Sequence, residues 1–326
     1  MVDLSVDIGA LKLANPIMPG SGTFAEGMEQ VVDLNCIGAF VAKTITPEIR
    51  EGNPQPRVTE LKNGMIGSIG IPSKGPEHFI REIVPFYNRF TPPFVASVSA
   101  SSVEEFGELC AQISVEGVDV IEANISCPNL KRDGEAFGMR CADTTDVLEE
   151  IKKRTDLPVW AKLTPNVGNI GEIAQAAEDA GADALVVANA LLAMAIDTET
   201  FRPKLGNVMG GITGPVVKPI ILRMAYQCAK AVDIPVIGCG GVATVADVAE
   251  YMLAGCTAVQ VGTASFVHPT AMINIIDGLA DYLEGQGLNS VTNLIGAMVE
   301  PGNNAEGVVE APSIRTVGGG NEGGGV

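Results

Sequence analysis

The stretch from Ile121 to Lys131, I-E-A-N-I-S-C-P-N-L-K, sets a cysteine, Cys127, between two asparagines, Asn124 and Asn129. An asparagine amide offers both a donor and an acceptor, so two of them can grip an amide- or imide-like ring. The thiol between them has two readings. It is a small apolar residue on a loop, or, partly ionised beside a cation, it is a base that removes a proton from a bound molecule. Two lysines, Lys43 and Lys162, each close an apolar run. Lysine is rarely buried, so each either snorkels to a rim or aims its ammonium into a shared site. Glycine gives the third signal, in I-G-C-G-G-V (237–242) and V-G-T-A (261–264). Such glycines form tight turns, or let backbone N–H groups approach a phosphate with help from the N-terminus of the next helix.

These residues need a frame that brings distant stretches together. Short apolar runs predict strands at Pro16–Met18, Ala39–Lys43, Phe94–Val98, Val118–Ala123, Val159–Leu163, Ala184–Ala188, Val236–Gly238 and Ala258–Val261. Helical patterns fall between them, near Glu26–Leu34, Pro76–Phe86, Val103–Glu116, Thr145–Arg154, Ile170–Ala180, Pro215–Ala231, Val245–Ala254 and Pro269–Glu284. Ser102 and Thr244 are placed to cap helix starts, and Gly181 and Gly255 to end helices. Eight strand–helix units over roughly 280 residues predict an α/β fold of the (β/α)8 TIM-barrel type, with chemistry on the loops after the strands. The G-x-G-x-x-G turn of a doubly wound dinucleotide fold is missing after the first strand. Loops 44–75, 126–143 and 189–214 are long enough to be functional. Within a barrel, glycine-rich ends of the last two strands are the usual phosphate site. A lysine beside the N1 and C2-carbonyl edge of a flavin would stabilise its reduced ring, and a second could reach ribityl or phosphate oxygens.

Composition narrows the function. Of 326 residues, 46% are hydrophobic and 18% charged, which suits one large core, and the formal net charge is −18. An acidic surface argues against nucleic acid and anionic membranes as partners. Seven scattered cysteines form no paired C-x-x-C, so no metal is expected. No apolar stretch spans a bilayer, the N-terminus does not read as a signal peptide, and a cytoplasmic setting is expected. A single barrel domain is expected over residues 1–300, followed by a Gly-rich acidic tail over 301–326 that is expected to be disordered.

The motifs together resemble the class 1 dihydroorotate dehydrogenases, and most closely the 1B catalytic subunit. The resemblance rests on N-P-I-M-P-G-S-G-T-F (15–24), K-T-I-T-P-E-I-R-E-G-N-P-Q-P-R (43–57), N-I-S-C-P-N (124–129), W-A-K-L-T-P-N (160–166), the segment 205–223, D-I-P-V-I-G-C-G-G-V (233–242) and A-V-Q-V-G-T-A (258–264). It implies a bound FMN contacted by Ser21, Gly22, Lys43, Thr44, Ser97, Asn124, Lys162, Ala188, Gly214, Gly240, Gly241, Gly262 and Thr263. It implies Cys127 as catalytic base, with Lys43 also catalytic, in dehydrogenation of a carbon–carbon bond: dihydroorotate to orotate in pyrimidine biosynthesis. It places substrate at Lys43, Gly67, Ser68, Ile69, Gly70, Ile71, Asn124, Asn129, Asn189 and Ala190. It further implies a homodimer, and a separate FAD and iron–sulfur subunit that takes the electrons.

The substrate side departs from the family pattern. The family loop N-A-I-G-L-Q-N is here G-S-I-G-I-P-S (67–73), the usual Asn-Thr or Asn-Ser pair is Asn189-Ala190, and a flavin-side asparagine is Ser97. Each lost partner of a buried polar ligand costs about 1–3 kcal/mol. Two further readings therefore stand beside dihydroorotate: the same chemistry on another cyclic or unsaturated substrate such as a dihydropyrimidine, and a non-catalytic flavin-binding assembly partner.

Overall fold

The protein is described from a computed structural model, covering residues 2–126 and 136–301. Cys127 and Asn129, most of the loop that follows them, and the tail from residue 302 lie outside the described residues.

Eight parallel strands form the central sheet: β1 (Ile17–Pro19), β2 (Phe40–Val41), β3 (Phe94–Val98), β4 (Val120–Asn124), β5 (Val159–Lys162), β6 (Ala184–Val187), β7 (Val236–Gly238) and β8 (Ala258–Val261). They neighbour one another in the order β1-β8-β7-β6-β5-β4-β3-β2. The two ends of that order meet where Gly38 N–H donates to Ile17 O at 2.7 Å, which closes the barrel. A Cβ at position 38 would run into Asn15 O, so this closure requires glycine. Every residue of these strands is buried, because helices cover one face and barrel side chains the other. That is why the strands read as unbroken apolar runs.

The predicted caps form. Ser102 Oγ accepts from Glu105 N–H at 3.1 Å, and Thr244 and Asp247 make a reciprocal capping box. Gly181 and Gly255 take positive φ after their helices, at +90° and +107°. The helix expected over Glu26–Leu34 is instead two 3-10 turns, Met28–Gln30 and Leu34–Cys36. Gly27 at φ +104° interrupts the entry, and Asp33 starts the second turn separately by accepting from Asn35 N–H. Two of the long loops also contain structure the sequence reading lacked. Val58–Leu61, Gly64–Gly67, Met209–Thr213 and Leu191–Met194 pair into one antiparallel sheet above β2 and β6 in chain order. It joins the loop after β2 to the loop after β6.

Candidate active site

All eight strands deliver residues at their C-terminal ends. After β1, Ser21 and Gly22 are half-buried, and after β2 the exposed Lys43 precedes the buried Thr44. Lys43 lies across Gly22: a Cβ there would come within 2.9 Å of Lys43 Cδ. Thr44 Oγ1 bonds Ser97 Oγ of β3 at 3.0 Å, so the serine standing at a flavin-side position is tied to its neighbour strand. After β4, Ser126 Oγ donates to Asn124 Oδ1 at 2.5 Å and accepts from Asn189 Nδ2, after β6, at 2.6 Å. This chain of three polar side chains ends directly before Cys127.

Lys162 on β5 is 3% exposed, so of the two readings of that lysine the rim one is excluded. Its ammonium donates to Gln260 Oε1 at 2.8 Å, Ser21 Oγ at 3.2 Å and Glu122 Oε1 at 3.4 Å. Burial alone would push its pKa down; the negative charge of Glu122 and the hydrogen bond to it outweigh that and hold it above the ordinary lysine value. Lys162 is therefore a fixed cation. Burial likewise raises the Cys239 thiol, partly offset by Lys162, so Cys239 is no competing nucleophile.

The remaining strand ends supply backbone. Ala188 N–H donates to Cys239 O at 3.0 Å, locking β6 to β7. Gly214 and Gly241 take φ +96° and +72°, and a Cβ on Gly241 would sit 2.8 Å from Gly214 O. Among the described residues the N–H groups of Gly240 and Gly241 meet no acceptor, and Thr263, next to Gly262, bonds Thr213 at 2.9 Å. At the N-terminus of helix Val245–Leu253, Asp247 accepts from Ala243 N–H and Thr244 N–H, while the N–H groups of Val245 and Ala246 meet no acceptor among the described residues. The loop glycines and the first helical turn both offer free donors there. A buried cation, a hydroxyl pair and a glycine cradle that side chains would fill suit a flavin bearing one phosphate.

On the substrate side, Ile69, Gly70 and Ile71 are consecutive, with φ +81° at Gly70 and +47° at Ile71. Their N–H groups meet no acceptor among the described residues, so a loop in an acidic protein presents three donors fit for a carboxylate. Asn53 N–H to Ile69 O (3.0 Å) and paired bonds between Arg50 and Ser73 (2.9 and 3.0 Å) brace this loop. Ser73, in the place of a family asparagine, accepts from Thr46 N–H and Gly75 N–H, and so serves the loop itself. Ser68 is buried and accepts from Asn53 Nδ2 at 2.8 Å and Asn207 Nδ2 at 3.1 Å. The two departures, Gly67 and Ala190, flank one residue: Gly67 pairs with Gly211, and a Cβ on Gly211 would run into Ala190 Cβ.

Sequence reasoning missed Glu122, Ser126, Gln260 and Thr213. A polar residue interrupting an apolar run, as in V-I-E-A-N and A-V-Q-V, was the available signal for the first and third.

The dihydroorotate dehydrogenase family model matches residues 3–283. The chain belongs to the dihydroorotate dehydrogenase family. A relative from Thermoanaerobacter sp. (strain X514), dihydroorotate dehydrogenase B (NAD(+)), catalytic subunit, is 43% identical over 299 residues, covering 91% of this chain and 99% of its own. Relatives with the same description from Desulforamulus reducens and Bacteroides fragilis are 46% and 44% identical, over 91% of this chain and 98% and 99% of theirs. The dihydroorotate dehydrogenase resemblance, its 1B branch and the barrel fold are thus borne out. No helix among the described residues is long and apolar enough to cross a membrane.

Proposed function

We propose that this protein oxidises dihydroorotate to orotate in pyrimidine biosynthesis, as the FMN-bearing catalytic subunit of a B-type dihydroorotate dehydrogenase. The observation that carries the reading is the hydrogen-bonded Asn124–Ser126–Asn189 chain, which stands beside Cys127 in sequence, together with the Ile69–Ile71 N–H groups that meet no acceptor among the described residues. A cyclic imide bearing a carboxylate needs amide partners at one end and anion donors at the other. The relatives' shared description supports the same substrate.

In this reading Asn124, Asn189 and Asn129 orient the ring amides, and the loop 67–71, with Lys43, holds the carboxylate end. Cys127, as thiolate, takes the proton from the carbon next to the carbonyl. FMN held here would supply the acceptor for the hydride that leaves the neighbouring carbon. Lys162, Ser21, Gly22, Thr44, Ser97 and Ala188 hold its ring and sugar side, and Gly214, Gly240, Gly241, Gly262 and Thr263 its phosphate. Electrons then leave through an FAD and iron–sulfur partner subunit that reduces NAD, and two copies of the chain form the core of a cytoplasmic enzyme. The barrel is one domain, and the tail takes no part in catalysis.

The test is an anaerobic addition of dihydroorotate to the yellow protein, following the visible flavin band, with Cys127→Ala as control. Bleaching that depends on Cys127 is expected. A flavin that stays oxidised with dihydroorotate but bleaches with a neutral dihydropyrimidine would move the substrate to that class. A chain unable to take up FMN would sink the flavoenzyme reading.

A further inference from the structure

Beneath the mouth lies a buried ring of side chains that joins Lys162 to two residues, Glu122 and Gln260, that none of these roles uses. Glu122 of β4 is completely buried and Gln260 of β8 is 1% exposed. Strands β4 and β8 stand four places apart in an eight-stranded barrel, so they face each other across the interior. Gln260 Nε2 nevertheless donates to Glu122 Oε2 at 2.6 Å, a bond that spans that interior. Gln260 Oε1 accepts from Lys162 Nζ at 2.8 Å, and Glu122 Oε1 lies 3.4 Å from the same nitrogen. The amide orientation is dictated by its partners, since an ammonium has only donors and a carboxylate only acceptors. The ring is thereby closed. The remaining ammonium bond goes to Ser21, which is half-buried on the β1 side of the mouth.

A lone buried carboxylate is several kcal/mol too costly to serve as mere filler, and the apolar runs around it show that aliphatic residues would pack here. Its effect on the site is electrostatic. Lys162 by itself would present a full positive charge in a poorly screened interior, where charges act at longer range than in water. With Glu122 at 3.4 Å the pair is close to neutral as seen from the mouth.

We propose that Glu122, coupled to Lys162 directly and through Gln260, is a positioning and charge-tuning residue that sets the bound flavin's midpoint potential below the value Lys162 alone would give. The inference rests on the flavoenzyme reading above. A flavin gains negative charge on reduction, so an uncompensated lysine would favour the reduced form and retain its electrons. Compensation lowers the potential, which suits a catalytic subunit that must pass electrons on to a low-potential acceptor rather than keep them.

The experiment is an anaerobic spectroelectrochemical titration of the FMN-loaded full chain, comparing wild type with Glu122→Gln, Glu122→Leu, Glu122→Asp and Gln260→Glu. Glu122→Gln keeps the shape and removes the charge, and its midpoint potential is expected to shift to more positive values. Glu122→Asp keeps the charge and is expected to hold the wild-type potential even where thermal stability falls. A loaded Glu122→Gln protein with an unchanged or more negative potential overturns the proposal. Should that variant not fold, Glu122→Leu decides: it also removes the charge and must shift the potential to more positive values, and an unmoved or lowered potential overturns the proposal, while Gln260→Glu, whose carboxyl would share a proton with Glu122 across 2.6 Å, adds no net charge and serves as the control. A wild-type chain that takes up no flavin overturns the flavoenzyme reading and this inference with it; loaded Glu122→Gln or Glu122→Leu proteins whose potentials do not move overturn the tuning alone.

Discussion

Lys43 rests on Gly22, with Cδ and Nζ at 2.9 and 3.1 Å from where a Cβ on residue 22 would stand. The glycine also sits at φ +76°, where an L side chain is strained. Gly22→Ala therefore has to move the lysine and strain the turn together. The strain is expected to cost about 1–3 kcal/mol of stability, read by chemical denaturation. Displacement of Lys43 is expected to lower kcat/KM for dihydroorotate by more than the stability loss explains, because folded protein at low temperature retains the misplaced ammonium.

Ser126 joins Asn124 to Asn189 by bonds of 2.5 and 2.6 Å. Removing its hydroxyl leaves an amide donor and an amide acceptor facing a methyl group in a buried place. Unmet buried polar groups cost about 1–3 kcal/mol each. If half-buried Asn189 turns away as a result, Ser126→Ala is expected to weaken the ring contacts by roughly 5- to 150-fold in kcat/KM, at 1.4 kcal/mol per tenfold. Steady-state kinetics checks this, with FMN content as the control, since the flavin should stay bound. An unchanged kcat/KM would remove this polar chain from the substrate site.

The barrel was legible because its chemistry is repetitive. Strands buried on both faces are mostly apolar, and β3, β7 and β8 begin and end where their largely apolar runs do. The sheet built by loops 44–75 and 189–214 was not legible. Its strands are mostly half-buried, only Leu191–Met194 alternates with exposed residues, and they carry Gly64, Gly67, Gly210 and Gly211, which weaken any local strand signal. Its pairing is also remote, since Ile66 meets Ile212. The site divides in the same way. Lys43, Lys162 and the strand-end glycines stood out by type and position, but the partners that define Lys162 come from β4 and β8. Only closure of the barrel brings Glu122 and Gln260 to it.

Gly67 and Ala190 leave an open place beside Gly211 rather than a refilled one. The nearest atoms to a Cβ on Gly67 are Arg57 O and Met65 Cε, both at 4.0 Å, so a Cβ is accommodated there without displacing its neighbours. Gly67→Asn is therefore expected to fold normally and to gain a polar contact to substrate or product. A hydrogen bond of this kind is worth about 0.5–1.5 kcal/mol net, which predicts orotate binding tighter by roughly 2- to 13-fold at 1.4 kcal/mol per tenfold. Spectral titration of the flavin with orotate measures it. Weaker orotate binding in a folded Gly67→Asn protein would show that the natural substrate uses this space itself.

Asp247 governs the phosphate end through stability and pH. Its carboxylate accepts from Lys218 Nζ at 2.7 Å, from Ala243 and Thr244 N–H at 3.0 and 2.8 Å, and from Thr244 Oγ1 at 2.9 Å. Burial pushes its pKa up, but the Lys218, Ala243 and Thr244 bonds outweigh burial and hold it below the ordinary value. A depressed folded pKa means the contribution is present above the unfolded value, about 3.9, and is lost as pH falls through the folded one. Asp247→Asn is expected to cost about 1–2 kcal/mol at neutral pH, after allowing for partial exposure. The gap between variant and wild type should then begin to narrow below about pH 4, where the unfolded chain takes up the proton, and close as pH falls through the lower folded value, where wild-type Asp247 also becomes neutral. Denaturation midpoints across pH test both halves of this statement. The same substitution reaches the site, because a Cβ on Gly241 would sit 2.8 Å from Lys218 Cβ and 2.8 Å from Gly214 O. With Lys218 held by Glu250 alone, at 2.8 Å, the Gly240–Gly241 cradle is less firmly fixed, and FMN retention on dilution should fall modestly at neutral pH, where wild-type Asp247 is ionised. Equal FMN retention by both proteins would separate the clamp from the phosphate cradle.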